Sequence, residues 1–218
     1  MQPSPAEGPP GRVVLEGRWC RLEPLAAGHA GDLYAATAGD GEADRYRWLF
    51  EPPPADLAAL SAWIARETPK ADPLHFAVVD RATGRCGGRQ AFMRITPEHG
   101  VIEIGAVLWG RGVARTRLAT EALYLFARHA FEDLGYRRFE WKCNARNAPS
   151  RQAAARFGFT FEGIFRQHMI IKGENRDTAW FSMLDGEWPV LRSAYEAWLA
   201  PENFDMDGNQ RRPLSAFL

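Results

Sequence analysis

Hydrophobic and polar residues alternate along the chain with two periods, one typical of helices and one typical of strands. Behind Asp56, apolar residues recur on one helical face, which predicts a capped helix containing Leu57, Leu60, Trp63 and Ile64. Three strand-like runs follow, separated by short turns: His75 to Asp80, Cys86 to Ile95 and Val101 to Leu108. Their turn spacing predicts an antiparallel meander.

The same patterns continue on both sides of this meander. Helices are predicted at Ala26 to Ala38, Arg117 to Leu134, Ser150 to Phe157 and Asp185 to Leu199. Further strands are predicted at Phe139 to Cys143, Thr160 to Ile171 and Thr178 to Leu184, with a hairpin or kinked strand at Val13 to Leu25. The segment Gly39 to Pro54 is expected to be irregular. The resulting order, β-α-α-β-β-β-α-β-α-β-β-α, indicates one α/β domain.

The two ends of the chain differ from this patterned middle. Residues 1–12 are rich in Pro and Gly and are predicted to form a mobile segment. The single domain is expected to cover residues 13–200, which leaves residues 201–218 as a polar, irregular tail.

Composition and charge narrow the function classes. Basic and acidic residues number 27 each, and the zero net charge argues against broad nucleic-acid or anionic-membrane binding. Three distant cysteines without C-x-x-C spacing indicate a reduced, cytoplasmic protein, and the histidines show no metal-ligand spacing. The N-terminus lacks a signal-peptide core, and no apolar run approaches the ~18 residues of a membrane span.

The stretch from Ile102 to Glu121, IEIGAVLWGRGVARTRLATE, carries the most specific chemistry. A strand leads into a loop with Arg111, Arg115 and Arg117, and a helix opens behind it. A helix N-terminus behind a basic loop is an anion site, so this loop is predicted to seat the diphosphate of a nucleotide-like cofactor. A P-loop is excluded because no G-x-x-x-x-G-K-[ST] occurs, and the run from Gly110 lacks the third glycine of a dinucleotide fingerprint.

Five short motifs, in order and at the right spacing, resemble the GNAT-type N-acetyltransferases and most closely their RimJ/RimL-like branch. That branch typically reads E-I-G, R-G-x-G-x-A-T-E-A, N-x-x-S and L-G-F-x-x-E-G. The matching residues here are Glu103-Ile104-Gly105, Ala119-Thr120-Glu121-Ala122, Asn147-Ala148-Pro149-Ser150, Phe157-Gly158-Phe159 and Phe161-Glu162-Gly163. The resemblance is dense from Cys86 to Trp188. It implies a mostly antiparallel mixed sheet flanked by helices, with acetyl-CoA as cofactor and a small-molecule or peptide amine as acceptor.

The loop departs from the family pattern, and two registers are open. Counted back from Ala119, it reads Ala114 to Leu118, with Arg115 and Arg117 where the family has glycine. The rival register uses Gly110 to Ala114 but follows Gly105 too closely for a strand end and a turn. We favour the first, which is tolerable if both arginines keep helical or β-region dihedrals. A third interpretation is a solvated basic face with a decayed cofactor site. As a separate alternative to an enzyme, the altered loop is also compatible with a non-catalytic sensor or interaction module that binds CoA.

The resemblance also assigns candidate site residues. Glu103 matches the proposed general base, with a solvent-facing strand glutamate as the alternative, and Ser150 matches a candidate general acid, with a helix-start serine as the alternative. Asn147 either binds pantetheine or caps a helix, and Glu121 is interpreted as a helix residue near the loop. The cofactor-binding candidates are Val107, Arg115, Thr116, Arg117, Leu118, Ala119, Thr120 and Asn147.

The acceptor side is the weakest part of the sequence interpretation. By position, Trp48 and Phe50 and the hairpin residues His168 and Asp177 are candidates for substrate contact. Each has a structural alternative: core packing for the aromatic residues, a structural histidine, and a turn carboxylate. A homodimer also stays open.

Overall fold

The computed structural model describes residues 4–218, so the first three residues of the expected mobile segment lie outside the described part. The chain divides into two compact units. We call Pro10–Ile95 with Ile104–Leu125 the amino-terminal unit. The carboxy-terminal unit contains Thr96–Glu103 and Phe126–Leu218, together with the residues before Pro10.

Five strands and four α-helices lie in the described chain up to Arg128. The strands are β1 (Leu15–Glu16), β2 (Cys20–Pro24), β3 (Leu74–Asp80), β4 (Cys86–Thr96) and β5 (Val101–Trp109). The helices are α1 (Ala30–Thr37), α2 (Glu42–Tyr46), α3 (Leu57–Glu67) and α4 (Arg117–Arg128). A cluster of buried apolar side chains joins α1 and α3 to β3, formed by Leu25, Leu33, Leu60, Ile64, Ala77 and Val79.

Three further strands and two helices follow. They are β6 (Arg138–Asn144), α5 (Ala148–Arg156), β7 (Thr160–Ile171), β8 (Glu174–Leu184) and α6 (Trp188–Leu199). The eight strands have the order β1-β2-β3-β4-β5-β6-β8-β7. The pairs β1–β2, β2–β3, β3–β4, β6–β8 and β7–β8 are antiparallel, and β3–β4 confirms that part of the meander predicted from the turn spacing.

Most predicted elements are confirmed, with two corrections. Asp56 caps α3 as expected, since its carboxylate accepts a 2.7 Å hydrogen bond from the Ala59 N–H. The segment Gly39 to Pro54 is not wholly irregular, because α2 lies within it. The long helix ends earlier than predicted: α4 stops at Arg128 and a π-helical turn, His129–Asp133, continues it.

Both chain ends pack against the carboxy-terminal unit. The N–H groups of Ala6 and Glu7 donate to the carbonyls of Pro97 and Leu134. In the tail, Leu214 is buried, and the amide of Asn203 donates to the carbonyls of Trp198 and Arg212.

One buried carboxylate fixes the start of α4 in the amino-terminal unit. Glu121, which is 3% exposed, accepts hydrogen bonds from the N–H groups of Arg18, Trp19 and Cys20 at 2.6 to 2.7 Å. A buried carboxylate needs such partners to offset its lost hydration. The interpretation of Glu121 as a helix residue near the loop is therefore confirmed, and its role is to join α4 to β2.

Gly17 allows this close approach, which generates a testable prediction. A Cβ at position 17 would lie 2.5 Å from the Glu121 carboxyl carbon and 2.8 Å from the Cys20 carbonyl oxygen. We expect Gly17→Ala to lower the free energy of unfolding by ~1–3 kcal/mol, the usual cost of overpacking. Gly28→Ala is the matched control, because a Cβ there meets nothing within 4 Å. Urea unfolding followed by circular dichroism measures both variants, and equal midpoints would contradict the proposed crowding.

Candidate functional site

The arginine loop lies in the amino-terminal unit between β5 and α4. Thr116 ends it as the helix cap: its hydroxyl oxygen accepts a 3.2 Å hydrogen bond from the Leu118 N–H and donates at 2.7 Å to the Val113 carbonyl. The first turn of α4 contains no acidic residue. Positive dipole charge at this end is therefore not neutralised by the helix itself, which suits an anion.

Backbone geometry distinguishes the two glycine-replacing arginines. Arg117 is the first helical residue, as the sequence interpretation requires. Arg115 does not meet that requirement, because its φ of +64° lies in the left-handed region that glycine adopts easily. The expectation of helical or β-region geometry is therefore wrong for Arg115. Its left-handed φ agrees with the register in which the family pattern has a glycine at this position. Neither Gly110 nor Gly112 has positive φ.

The arginine side chains have different surroundings. The Arg117 guanidinium lies 3.8 Å from the ring centroid of Trp19, and Arg111 donates to the Asp40 carbonyl. Arg115 is exposed and has no hydrogen bond or ion pair within residues 4–218. Of the three, Arg115 is therefore the best placed to meet a diphosphate.

The remaining cofactor candidates present backbone more than side chain. Ala119 and Thr120 are buried, so neither side chain is available for a ligand contact. Val107 is half-buried on β5, next to Ala106, whose φ of +49° interrupts regular strand geometry. The Ala106 carbonyl accepts a 2.7 Å hydrogen bond from Arg89 of β4.

Glu103 lies in a buried network of charges in the carboxy-terminal unit. Its carboxylate is 3.0 Å from the Lys142 ammonium, and that ammonium is 2.5 Å from Glu140. The Lys142 ammonium also lies 3.8 Å from the centroid of the Trp180 ring. Glu103 is only 2% exposed, so the alternative of a solvent-facing strand glutamate is wrong.

Sequence reasoning missed Lys142 and Glu140, although β6 contained a signal. Phe139, Trp141 and Cys143 alternate with polar neighbours, so the polar residues share one face of the strand. That face continues into Arg138, which is 2.6 Å from Glu140 and also pairs with Glu162. A charged stripe on a buried strand requires internal partners, and the pattern alone does not name them.

Asn147 and Ser150 lie together at the start of α5. Asn147 caps the helix, since its side-chain oxygen accepts a 3.1 Å hydrogen bond from the Ser150 N–H. The Ser150 hydroxyl oxygen accepts at 3.0 Å from the indole N–H of Trp141. This contact uses a lone pair of the hydroxyl oxygen, and the hydroxyl itself also hydrogen-bonds the Cys143 thiol.

The hairpin candidates have structural partners. Asp177 accepts hydrogen bonds from the Gln167 N–H at 2.7 Å and the Asn175 amide at 2.9 Å, and the Gln167 bond lowers the pKa of its carboxyl. His168 lies 3.0 Å from the Thr178 hydroxyl. These contacts match the turn-carboxylate and structural-histidine alternatives.

In the amino-terminal unit, Trp48 and Phe50 follow α2 but do not line the cavity beside it. That cavity has a volume of about 380 Å³ and is lined by Tyr46 and Glu51, with Trp63 of α3 and Arg89 of β4. Trp48 and Phe50 are therefore not among the residues that line this cavity, and their contact with a substrate stays a prediction. Strand-side and helix-side lining residues meet only in the fold, which explains why pattern alone did not identify them.

Within residues 4–218 there is no group of three or more His, Cys, Asp or Glu side chains placed to hold a metal ion. No helix in that range has the length and apolar character needed to cross a membrane. Cys20, Cys86 and Cys143 are free thiols, and burial raises the pKa of each.

Comparison with known proteins gives consistent matches. The model of the acetyltransferase (GNAT) domain matches residues 20–160. A GCN5-related N-acetyltransferase structure from Brucella melitensis has 54% identity and a TM-score of 0.95, covering 98% of this chain and 97% of that one. A probable GNAT-family acetyltransferase structure from Chromobacterium violaceum has 40% identity and a TM-score of 0.78, covering 84% and 92%. Uncharacterized N-acetyltransferase p20 of Bacillus licheniformis is 31% identical over 52% of this chain, and the match spans only 63% of that relative's length.

The buried charge network generates a prediction about stability. Lys142→Met removes the cation between Glu103 and Glu140, which leaves two buried carboxylates without it. We expect the free energy of unfolding to fall by ~3–5 kcal/mol near pH 7, as for other broken buried ion pairs. Urea midpoints near pH 7 measure this, and the double variant Lys142→Met/Glu103→Gln, which removes one of the two carboxylate charges, should recover part of the loss. A double variant no more stable than Lys142→Met would contradict the network.

Proposed function

Because the chain belongs to the GNAT family of acetyltransferases, whose members use acetyl-CoA as donor, we propose that it acetylates a primary amine by direct attack in a ternary complex. The observation that carries this proposal is the start of α4, which has no acidic residue and is preceded by the exposed Arg115. This feature fits a polyanionic cofactor.

The loop residues would hold acetyl-CoA through its phosphates. When bound, acetyl-CoA supplies an activated acetyl thioester. Arg115, Arg117 and the main chain from Thr116 to Thr120 would bind the diphosphate, with Val107 of β5 and Asn147 at the pantetheine. Arg117 reaches this role from its position over Trp19, so it contributes charge with little loss of rotamer freedom.

Glu103 is our candidate for the group that receives the proton of the amine. An aliphatic amine has a pKa near ~10 and must lose a proton before it attacks. Lys142 holds the Glu103 carboxylate in place at 3.0 Å and offsets its burial. A positioned carboxylate accepts a proton directly or through a water molecule.

Ser150 is our candidate for the proton donor to the leaving thiolate. Its oxygen is oriented by the Trp141 indole, and its hydroxyl hydrogen-bonds the Cys143 thiol, a neutral and weaker acceptor than the leaving thiolate. From Gln152 to Phe159 the helix and its end contain no tyrosine, so no phenol competes for this role. Asn147 positions Ser150 by capping the same helix turn.

The finer assignments rest on sequence motifs and surface features. We propose that the chain falls in the RimJ/RimL-like branch, acts in the cytoplasm and acetylates a protein N-terminus or a small-molecule amine.

We also propose a homodimer through β7, an outermost strand with exposed Phe161, Ile164 and Phe165. Antiparallel self-pairing centred on Ile164 would set Glu162 opposite Arg166 of the partner copy. Light scattering should then give twice the chain mass, and Phe165→Glu should halve it.

A second function is favoured by one observation. The left-handed, non-glycine Arg115 alters the phosphate loop, and such a loop also suits a protein that binds CoA without transferring its acyl group. Under this alternative, acetyl-CoA binds but no amine releases the thiol.

Binding and turnover together test the proposed function. We expect acetyl-CoA to raise the melting temperature by mass action. Thiol release should follow with at least one member of a panel of amines and N-terminal peptides. No thermal shift at millimolar acetyl-CoA would remove the cofactor assignment, whereas a shift without thiol release would favour the binding module.

Glu103→Gln tests the assigned base within the same assay, because it keeps the shape and removes the charge. We expect turnover to fall ~10²-fold while acetyl-CoA affinity is unchanged. The defect should shrink at high pH, where more of the free amine is already neutral. Glu98→Gln, an exposed carboxylate substitution, is the control. Wild-type turnover of Glu103→Gln at pH 7 would move this role to another group or to water.

Arg115→Gly tests the loop. Glycine suits the left-handed backbone at this position, so the variant removes charge without distorting the loop. We expect CoA binding to weaken by ~1.5–3 kcal/mol, the value of one charge-assisted contact, and Arg115→Lys to retain most of it. Calorimetry with CoA and with pantetheine separates the causes, since pantetheine lacks the diphosphate. Equal weakening of both ligands would favour a structural role or the rival register.

A further inference from the structure

The cavity of about 380 Å³ beside α2 lies wholly within the amino-terminal unit. Its volume falls in the range of small-molecule sites, ~300–1,000 Å³. Its walls come from the Pro52–Pro54 segment, from Trp63 and Arg66 of α3, and from Arg89 of β4. Most of this surface is apolar, so the few charged groups decide what it can bind.

Glu51 is the charged group that the cavity presents. Arg89 is only 1% exposed, and its guanidinium pairs with Glu51, donates to the Ala106 carbonyl and lies 4.3 Å from the Trp63 ring centroid. Arg89 is thus enclosed, whereas the Glu51 side chain keeps 22% of its surface accessible. A partly open carboxylate fixed by a buried arginine is suited to accept hydrogen bonds from a ligand cation.

The groups around Glu51 determine how many positive charges a ligand of this cavity can carry. The Arg66 side chain also lines the cavity, but it is 63% exposed and pairs with Glu67 at 3.2 Å, which offsets its charge. His75 packs edge-on against Trp63 at 5.1 Å, and burial lowers its pKa to about 3, which keeps it neutral. Tyr46 contributes a neutral phenol, and prolines have no N–H to donate. Glu51 is thus the carboxylate that the lining offers, and because Arg89 already offsets its charge, it suits one ammonium group better than a polycation.

We propose that this cavity is the acceptor site, and that its substrate class is a monoamine carried on an apolar, ring-sized body. The ammonium binds Glu51, while the body packs against Trp63 and the Pro52–Pro54 wall. This proposal rests on the proposed function. Arg89 links the cavity to Ala106, the neighbour of Val107 on the strand assigned to the pantetheine. In the transfer, the amine loses a proton, its nitrogen bonds to the acetyl carbon, the carbon–sulfur bond breaks, and CoA leaves as the thiol.

Equilibrium binding without acetyl-CoA tests the site independently of catalysis. The probes are 2-phenylethylamine, its uncharged isostere 2-phenylethanol, and spermidine. We expect the wild-type protein to bind the amine at least ~10-fold more tightly than the alcohol, as a charge-assisted contact requires. Spermidine should bind more weakly than the monoamine. Glu51→Gln should abolish the preference for the amine, and Trp63→Leu should weaken amine and alcohol by similar factors.

Matched variants separate recognition from folding. Glu98→Gln and Leu57→Ala change an exposed carboxylate and an exposed apolar residue of α3, so both should bind the probes like wild type. Glu51→Asp keeps the charge opposite Arg89 and should keep most of the preference if Glu51→Gln is unstable. Equal wild-type affinity for amine and alcohol, or tighter binding of spermidine, would overturn the site.

Turnover then tests whether an amine bound in this cavity is the acceptor that is acetylated. With acetyl-CoA, 2-phenylethylamine should be acetylated, 2-phenylethanol should inhibit competitively, and Glu51→Gln should raise KM far more than it lowers kcat. An acetylated amine whose KM is unaffected by Glu51→Gln would overturn the acceptor assignment. Failure of every amine to release thiol would instead count against the proposed function, because the binding measurements would still report on the cavity.

Discussion

The contact of the Glu121 carboxylate with three backbone N–H groups is the interaction on which the cofactor side of this protein depends. It joins the first turns of α4 to the residues at the start of β2. One of these residues, Arg18, lies 103 positions before Glu121 in the chain. Gln90 adds a second tie, because its buried amide donates to the Ala122 carbonyl and accepts from the Trp109 indole. With its first turns held on both sides, α4 presents a rigid N-terminus, which a diphosphate site needs.

In the carboxy-terminal unit too, buried charged side chains have partners that offset their lost hydration. Glu103, Lys142 and Glu140 are nearly inaccessible, yet each has an oppositely charged neighbour. Such a network contributes little net stability compared with apolar packing, but loss of one member is costly. Its more useful effect is positional, because paired side chains keep one geometry. A base that must accept a proton at the same point in every turnover benefits from that restraint.

Backbone strain is found next to the proposed ligand contacts. Ala106 on β5 and Arg115 in the loop both have positive φ without being glycine, at +49° and +64°. Such conformations cost free energy and persist where the surrounding structure enforces them, often at functional sites. Ala106 is held by the hydrogen bond from Arg89, which in turn fixes Glu51 in the cavity. Strand geometry and the proposed acceptor contact are therefore coupled through one buried arginine.

The sequence determined the elements whose causes are local. Helical periodicity and the caps at Asp56 and Asn147 depend on residues within one or two turns, so the pattern predicted them. The arginine loop before α4 was recognisable for the same reason, and the motifs made Glu103 a candidate base, which stays a prediction. Only the tertiary structure decided the partners: Lys142 beside Glu103, and the cavity beside α2. These pairings join residues that are far apart in the chain. Strand register and helix packing, rather than adjacent residues in the sequence, determine which side chains meet.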